Sequence, residues 1–156
     1  MASIELGATA PTGPVLFAYD GSELAALAIE QAAAELASGR DALVLCVWQP
    51  ADVGFLPTGG GHFDADQASA VKKAAEETAA HGASLAEKAG FRSESVAVEA
   101  APIWQGIVET AEERNASLIV LGSHRRRGLV GHLLGSVAAA VVTHAASSVL
   151  VVHQRS

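Results

Sequence analysis

The chain has 156 residues, of which 50% are hydrophobic and only 4% aromatic, and its formal net charge is −7. This length predicts a single domain over residues 1–156, which begins with an N-terminal tail of residues 1–12. Because aromatic residues are few, Ala, Val and Leu are expected to form the core. The acidic charge excludes nucleic acid as the main partner, because a phosphate backbone requires a basic surface. The single cysteine, Cys46, excludes an internal disulfide.

The apolar segments show no targeting or membrane-spanning pattern. The N-terminus has neither the basic start nor the apolar core of a secretory signal. The longest apolar tract, residues 137–152, is interrupted by Thr143, His144 and two serines, so no membrane span is predicted. We therefore expect a soluble cytoplasmic protein without a membrane partner.

Strand-like and helix-like segments alternate along the chain. Short apolar runs predict buried strands over residues 14–19, 42–48, 94–99, 117–121 and 148–152. Helical spacing of apolar residues lies between them, over residues 22–38, 66–89, 103–114 and 136–145. This order predicts an α/β fold with a parallel sheet, right-handed crossovers and helices on both faces. The long loop of residues 49–65 is rich in Pro and Gly, and such loops are often functional.

Ligands of open α/β sheets bind beyond the carboxyl ends of the strands, where the strand order reverses. After the first strand, Asp20 can accept hydrogen bonds from ribose hydroxyls, or it can order the turn and cap the next helix. At the second strand, Val47 can offer backbone groups to an adenine edge, although valines at such positions are more often core. Gly135 and Ser136 can present amides and a helix N-terminus to phosphate, or form an ordinary cap.

Three segments resemble the universal stress protein family: VLFAYDGSELAALAIEQAAAEL near the start, LIVLGSH at the fourth strand and LLGSVAAAVVTHAASSVLVVH at the end. Nucleotide-binding members of that family share a spacing of glycine, two residues, glycine, nine residues, glycine, then Ser or Thr. Gly122, Gly135 and Ser136 match the first, third and fourth positions, and Arg125 replaces the second glycine. The resemblance implies a Rossmann-like five-stranded parallel sheet of order 3-2-1-4-5.

The resemblance also implies a function and a site. A stress-response module would bind ATP, AMP or another adenine nucleotide, with Mg left open, between strands 1 and 4. It would act as a ligand-gated homodimer paired through residues 149–153. The implied site follows the strands and opens the last helix: Ala18, Tyr19, Asp20, Val47, Leu121, Gly122, Arg125, Gly135, Ser136, Val137 and Ala138. The first three would hold base and ribose, Val47 the adenine, and the last four the phosphates.

Arg125 is the departure from the family spacing. Glycine permits positive φ and close approach of the backbone to phosphate, whereas positive φ costs arginine about 1 kcal/mol or more. A guanidinium can instead bind phosphate through charge-assisted hydrogen bonds. Both interpretations stay open, and we favour the second because Gly122, Gly135 and Ser136 stand at their spacings.

Other function classes fit this sequence less well. A family member that has lost its nucleotide and acts as a dimeric interaction protein is favoured by Arg125 and opposed by the intact glycines. An adenylate-forming or sulfur-transfer enzyme needs a Ser-Gly-Gly-type loop where this chain has Asp20, Gly21 and Ser22. A receiver domain needs a phosphoacceptor Asp after the third strand, which here ends at Glu99. No catalytic residues and no metal site are predicted, and slow ATP hydrolysis is left open.

Overall fold

The computed structural model describes residues 13–49, 65–124 and 134–154. The elements alternate as predicted: β1 (Val15–Ala18), α1 (Glu23–Glu35), β2 (Asp41–Trp48), α2 (Ala65–Lys88), β3 (Arg92–Glu99), α3 (Ile103–Glu113), β4 (Leu118–Ser123), α4 (Ser136–His144) and β5 (Ser148–His153). The predicted N-terminal tail, nearly all of the long loop and Arg125 lie outside the described residues. In the part of the chain that is described, no helix is long and apolar enough to cross a membrane.

The strands form one five-stranded sheet in the order β3-β2-β1-β4-β5, and every neighbouring pair is parallel. This confirms the predicted fold class and strand order. β1 is the central strand. The chain continues outward through β2 to β3, and then crosses back to β4, which pairs with the other side of β1. The strand order therefore reverses between β1 and β4, where open α/β sheets bind their ligands.

The sheet is covered by helices on both faces. Phe17, Val44 and Val120 belong to the core cluster shared with α1 and α2, whereas Leu16 and Ile119 belong to the cluster shared with α3 and α4. Successive side chains alternate between these two clusters because a strand has a period of two residues. Burial on both faces explains why the central strands are continuous apolar runs in the sequence.

The turn after β1 is built from local hydrogen bonds. Asp20 Oδ1 accepts the backbone N–H of Ser22 at 2.9 Å, and Gly21 adopts a φ of +85°. The Ser22 hydroxyl then accepts the N–H of Ala25 at 3.1 Å and caps α1. These bonds fix Asp20 at the carboxyl edge of the sheet, beside the point where the strand order reverses.

The two edges of the sheet differ in polarity. Edge strand β3 carries the ion pair between Arg92 and Asp41, with 2.9 Å between Nε and Oδ1. Edge strand β5 instead carries the half-buried apolar side chains of residues 149–151. Val142, on the helix that precedes β5, is 47% exposed. β3 also has half-buried apolar side chains at residues 96–98, so the two edges differ in the polar residues 92–95 with which β3 begins.

Candidate functional site

A cavity of about 340 Å³ lies at the carboxyl ends of β1, β2 and β4, on the edge where the strand order reverses. Its size falls in the range of small-molecule sites. All of the sequence-predicted site residues that the structure describes line it: Ala18, Tyr19, Asp20, Val47, Leu121, Gly122, Gly135, Ser136, Val137 and Ala138. Arg125 lies outside the described residues.

Further lining residues were not predicted from the sequence: Ser22, Leu24, Ala25, Leu45, Ile103, Ile107, Ser123 and His124. Some of them carried a usable signal. Leu45 precedes Val47 by one strand repeat, so the two share a face of the sheet. Ile103 and Ile107 have the four-residue spacing of one helix face. Ser123 and His124 directly follow Gly122, whereas Leu24 could be found only from the packing of α1 on β4.

One side of the cavity is lined by apolar side chains. Leu45 and Val47 of β2 face Ile103 and Ile107 of α3 within the same core cluster. The close approach of α3 depends on Gly106, because a Cβ there would lie 2.9 Å from Val47 Cγ1 and 2.7 Å from the Cβ of Ala100. Real Cβ contacts are almost never that short, so α3 takes its position only without a side chain at this point. We call this side of the cavity, formed by Leu45 and Val47 of β2 and Ile103 and Ile107 of α3, the apolar slot.

The backbone of Val47 faces the end of β1. The carbonyl of Leu45 accepts the N–H of Tyr19 at 2.8 Å, whereas the carbonyl of Trp48 accepts the N–H of Ala100 at 3.1 Å, on the opposite side of β2. Backbone polar groups alternate between the two sides of a strand, so those of Val47 point to the same side as those of Leu45. β1 ends at Ala18, beside Leu45. The N–H and carbonyl of Val47 therefore point past the end of β1, toward the cavity.

Asp20 supplies a carboxylate at the rim of the cavity. It is exposed, and its Oδ1 accepts the Ser22 N–H, so the turn-ordering role considered from the sequence is present. An ionised carboxylate has two oxygens with about four lone-pair sites. The turn therefore leaves acceptor capacity for hydroxyl groups in the cavity.

The start of α4 supplies hydrogen-bond donors. Gly135 is the N-cap residue, and no side chain caps the helix. The Gly135 N–H donates to the buried Ser123 hydroxyl at 2.9 Å. The amides of the next residues, Ser136, Val137 and Ala138, belong to the first turn and have no acceptor within the helix. These amides and the positive end of the helix dipole suit an anion.

A model of the universal stress protein family matches residues 12–153. The chain belongs to the universal stress protein family. A universal stress protein of Mycolicibacterium smegmatis is 34% identical over 143 residues, which cover 91% of this chain and 46% of that relative. The chain thus spans about half the length of this curated relative.

Two solved structures of the family share the fold. The universal stress protein of Archaeoglobus fulgidus in complex with dAMP is 27% identical, with a TM-score of 0.57 and coverage of 91% of this chain and 98% of that chain. A universal stress protein in complex with cAMP is 24% identical, with a TM-score of 0.60 and coverage of 92% and 98%. The second likeness concerns the fold alone.

In this family member, the ionisable residues among the described cavity lining are Tyr19, Asp20 and His124. Burial raises the pKa of the Tyr19 phenol above its usual value, and the nearby Asp20 and Cys46 raise it further. The Tyr19 ring packs in the core cluster of the α1 and α2 face, where a Cβ on Gly82 would lie 2.6 Å from it. The phenol is therefore neutral at neutral pH.

Among the described residues, no group of three or more His, Cys, Asp or Glu could hold a metal ion.

Proposed function

We propose that this universal stress protein binds an adenine nucleotide, ATP or AMP, in the cavity where the strand order reverses, and acts through it as a ligand-gated stress-response module. One observation carries the proposal: an apolar slot, an exposed carboxylate and an uncapped helix N-terminus line the same cavity. These groups match the base, the sugar and the phosphate of a nucleotide. The dAMP complex of the Archaeoglobus fulgidus relative supports this assignment.

The base occupies the apolar slot. A flat face of the base packs on the side chains of Val47 and Ile107, which belong to the same core cluster and both line the cavity. The N–H and carbonyl of Val47 point into the cavity, so one donor and one acceptor are available to the edge of the ring. Adenine carries a donor and acceptors on its edges, which gives the slot a basis for choosing this base.

The sugar and phosphate follow along the rim. Asp20 accepts hydrogen bonds from ribose hydroxyls with the capacity that the Ser22 N–H leaves unused. The phosphate binds the amides of Ser136, Val137 and Ala138, and the helix dipole of α4 favours its negative charge. The further phosphates of ATP would extend from the start of α4, and ATP would bring its Mg ion bound to them.

The proposal includes a homodimer paired through residues 149–153. β5 is an edge strand of the sheet, and its apolar side chains at residues 149–151 are only half buried, whereas Val152 is buried. A long apolar edge needs a cover, and a second copy of the same strand supplies one. The other edge strand, β3, begins with the four polar residues 92–95 and carries half-buried apolar side chains only over residues 96–98.

Proline substitutions at the two sheet edges test the dimer. Light scattering at micromolar concentration should give the mass of two chains, and Val151→Pro in β5 should reduce it to that of one. Ala97→Pro in the other edge strand is the matched control and should leave the dimer intact. The Ala100 N–H donates to β2, so the N–H of Ala97, three residues earlier, points away from the sheet. A monomeric wild type, or a dimer that survives Val151→Pro in a folded protein, contradicts this interface.

Mass spectrometry of small molecules released from the purified, denatured protein tests the nucleotide. We expect an adenine nucleotide in a near-stoichiometric amount, and calorimetry of the nucleotide-stripped protein should then show binding of ATP and AMP. If neither ATP, AMP nor cAMP binds, the proposal fails and the chain is a nucleotide-free interaction protein. That outcome is the alternative which Arg125 favours.

A further inference from the structure

We propose that Ser123 is a positioning residue for the phosphate, an inference that rests on the proposed nucleotide function. Ser123 is the last residue of β4, and it is only 2% exposed. Its Oγ accepts the backbone N–H of Gly135 at 2.9 Å. The hydroxyl thus joins the carboxyl end of a central strand to the residue that begins α4, across a segment outside the described residues.

Ser123 is held on a rigid element. β4 pairs with β1 on one side and with β5 on the other, and Ser123 itself is in register with His153. Gly135 immediately precedes the turn that carries the phosphate-directed amides, and no side-chain bond caps that turn. The hydroxyl of Ser123 is therefore the anchor that fixes where α4 begins.

The bond also determines which amides can bind phosphate. Because the Gly135 N–H is donated to Ser123, the donors that face an anion are those of residues 136–138. Without the bond, the first turn of α4 frays, and phosphate binding then bears the cost of ordering it. The slot for the base lies on β2 and α3, so its geometry does not depend on Ser123.

Removal of the hydroxyl has two possible effects of opposite sign. If Ser123 positions the helix start, Ser123→Ala weakens phosphate binding because the donors are no longer held together. If Ser123 only occupies a donor, the same change releases the Gly135 N–H and tightens phosphate binding. The geometry points to the first effect, since one gained donor does not replace an ordered turn of three.

The experiment titrates AMP and adenosine into wild type, Ser123→Ala and Ser147→Ala. Ser147 is the matched control, because its hydroxyl donates to the carbonyl of Ala116 at 2.9 Å away from the cavity lining. Ser123→Ala should weaken AMP binding about five- to tenfold, as expected for one lost hydrogen bond, and change adenosine binding less than about twofold. The control should change neither ligand by more than about twofold.

Equal losses for AMP and adenosine in Ser123→Ala would overturn the positioning role, and so would tighter AMP binding. Hydrogen exchange of the Gly135 amide in the nucleotide-free protein gives a readout that does not need a ligand. Exchange at Gly135 should be faster in Ser123→Ala than in wild type, and unchanged exchange would show that the bond holds nothing in place. If faster exchange accompanies a wild type that binds neither ligand, the anchor exists but the proposed function, and the phosphate role with it, fails.

Discussion

The side chain of Leu24 lies directly over Gly122. A Cβ atom on this glycine would come within 2.6 Å of the Leu24 Cγ and 3.3 Å of the Leu24 carbonyl oxygen. Leu24 is 5% exposed in the first turn of α1, and both residues line the cavity. Packing alone therefore explains the first glycine of the family spacing: without a side chain at residue 122, α1 can approach β4 closely.

We expect Gly122→Ala to lower the free energy of unfolding by about 1–3 kcal/mol, because the added methyl group overpacks the contact with Leu24. Chemical denaturation measures the effect. In a Leu24→Ala background the same change should cost less, because the side chain that it displaces is gone. Costs that simply add in the double variant would show that the two side chains do not compete for this space.

Asp20→Asn separates the two roles of Asp20. Asparagine keeps an acceptor for the Ser22 N–H, so the free energy of unfolding should change by less than about 0.5 kcal/mol. The lost charge should weaken adenosine binding, by about 1 kcal/mol in calorimetry. Asp20→Ala should lose both the turn bond and the ligand bond. If adenosine binds equally well to wild type and Asp20→Asn, the ribose assignment is contradicted.

Gly106→Ala tests the apolar slot. The new Cβ has to displace Val47 or Ala100, so we expect the slot to change shape and the affinity for AMP and adenosine to fall together, by about 1–3 kcal/mol in calorimetry. Ala86→Val is the control, because Ala86 is buried in the core cluster on the α1 and α2 face and is not among the lining residues of the cavity, so the larger side chain overpacks the core away from the slot. It should lower stability and leave adenosine affinity nearly unchanged. Equal losses of affinity in both variants would mean that general destabilisation, and not the slot, controls binding.

Arg125→Gly tests the departure from the family spacing. No Lys or Arg is among the described lining residues, and Arg125 follows His124 of the lining directly in the chain. If its guanidinium serves the phosphates, the glycine variant should bind ATP more weakly and with a flatter salt dependence. The measurement is ATP affinity at two salt concentrations, with Arg126→Gly as the control for loss of one charge. Tighter ATP binding by Arg125→Gly would show instead that the arginine obstructs the turn.

The order of the elements could be predicted because their burial is simple. Strands covered on both faces appear as continuous apolar runs, and parallel strands bring their carboxyl ends to one edge. The ends of the elements were harder to predict. The first helix was predicted to reach residue 38 but ends at Glu35. Leu36 continues the apolar spacing and packs on the core, which made the helix look longer, although its backbone is already extended, with a ψ of 155°. β3 begins at Arg92 and not at the predicted residue 94. Its first residues are polar and gave no apolar signal, and Arg92 forms an ion pair with Asp41 of the neighbouring strand.

The candidate site could be predicted only in part, for a related reason. Val47, Gly122 and Ser136 follow from topology and spacing, since each lies at a strand end or helix start. The contacts of Ser123 with Gly135 and of Leu24 with Gly122 depend on how separate elements pack together. No local pattern distinguishes a serine that anchors a helix start from one that faces solvent, so these two relationships required coordinates.

The most direct test of nucleotide binding in this cavity is an NMR titration of the labelled protein with AMP, followed through the backbone amides. Binding at the proposed site should shift the amides of Val47 and of residues 136–138 together, along one saturating curve. Amides at the opposite end of the sheet, around Asp41 and Arg92, should stay in place. Saturable shifts confined to that opposite end, or no shift at any concentration of AMP, would contradict the account.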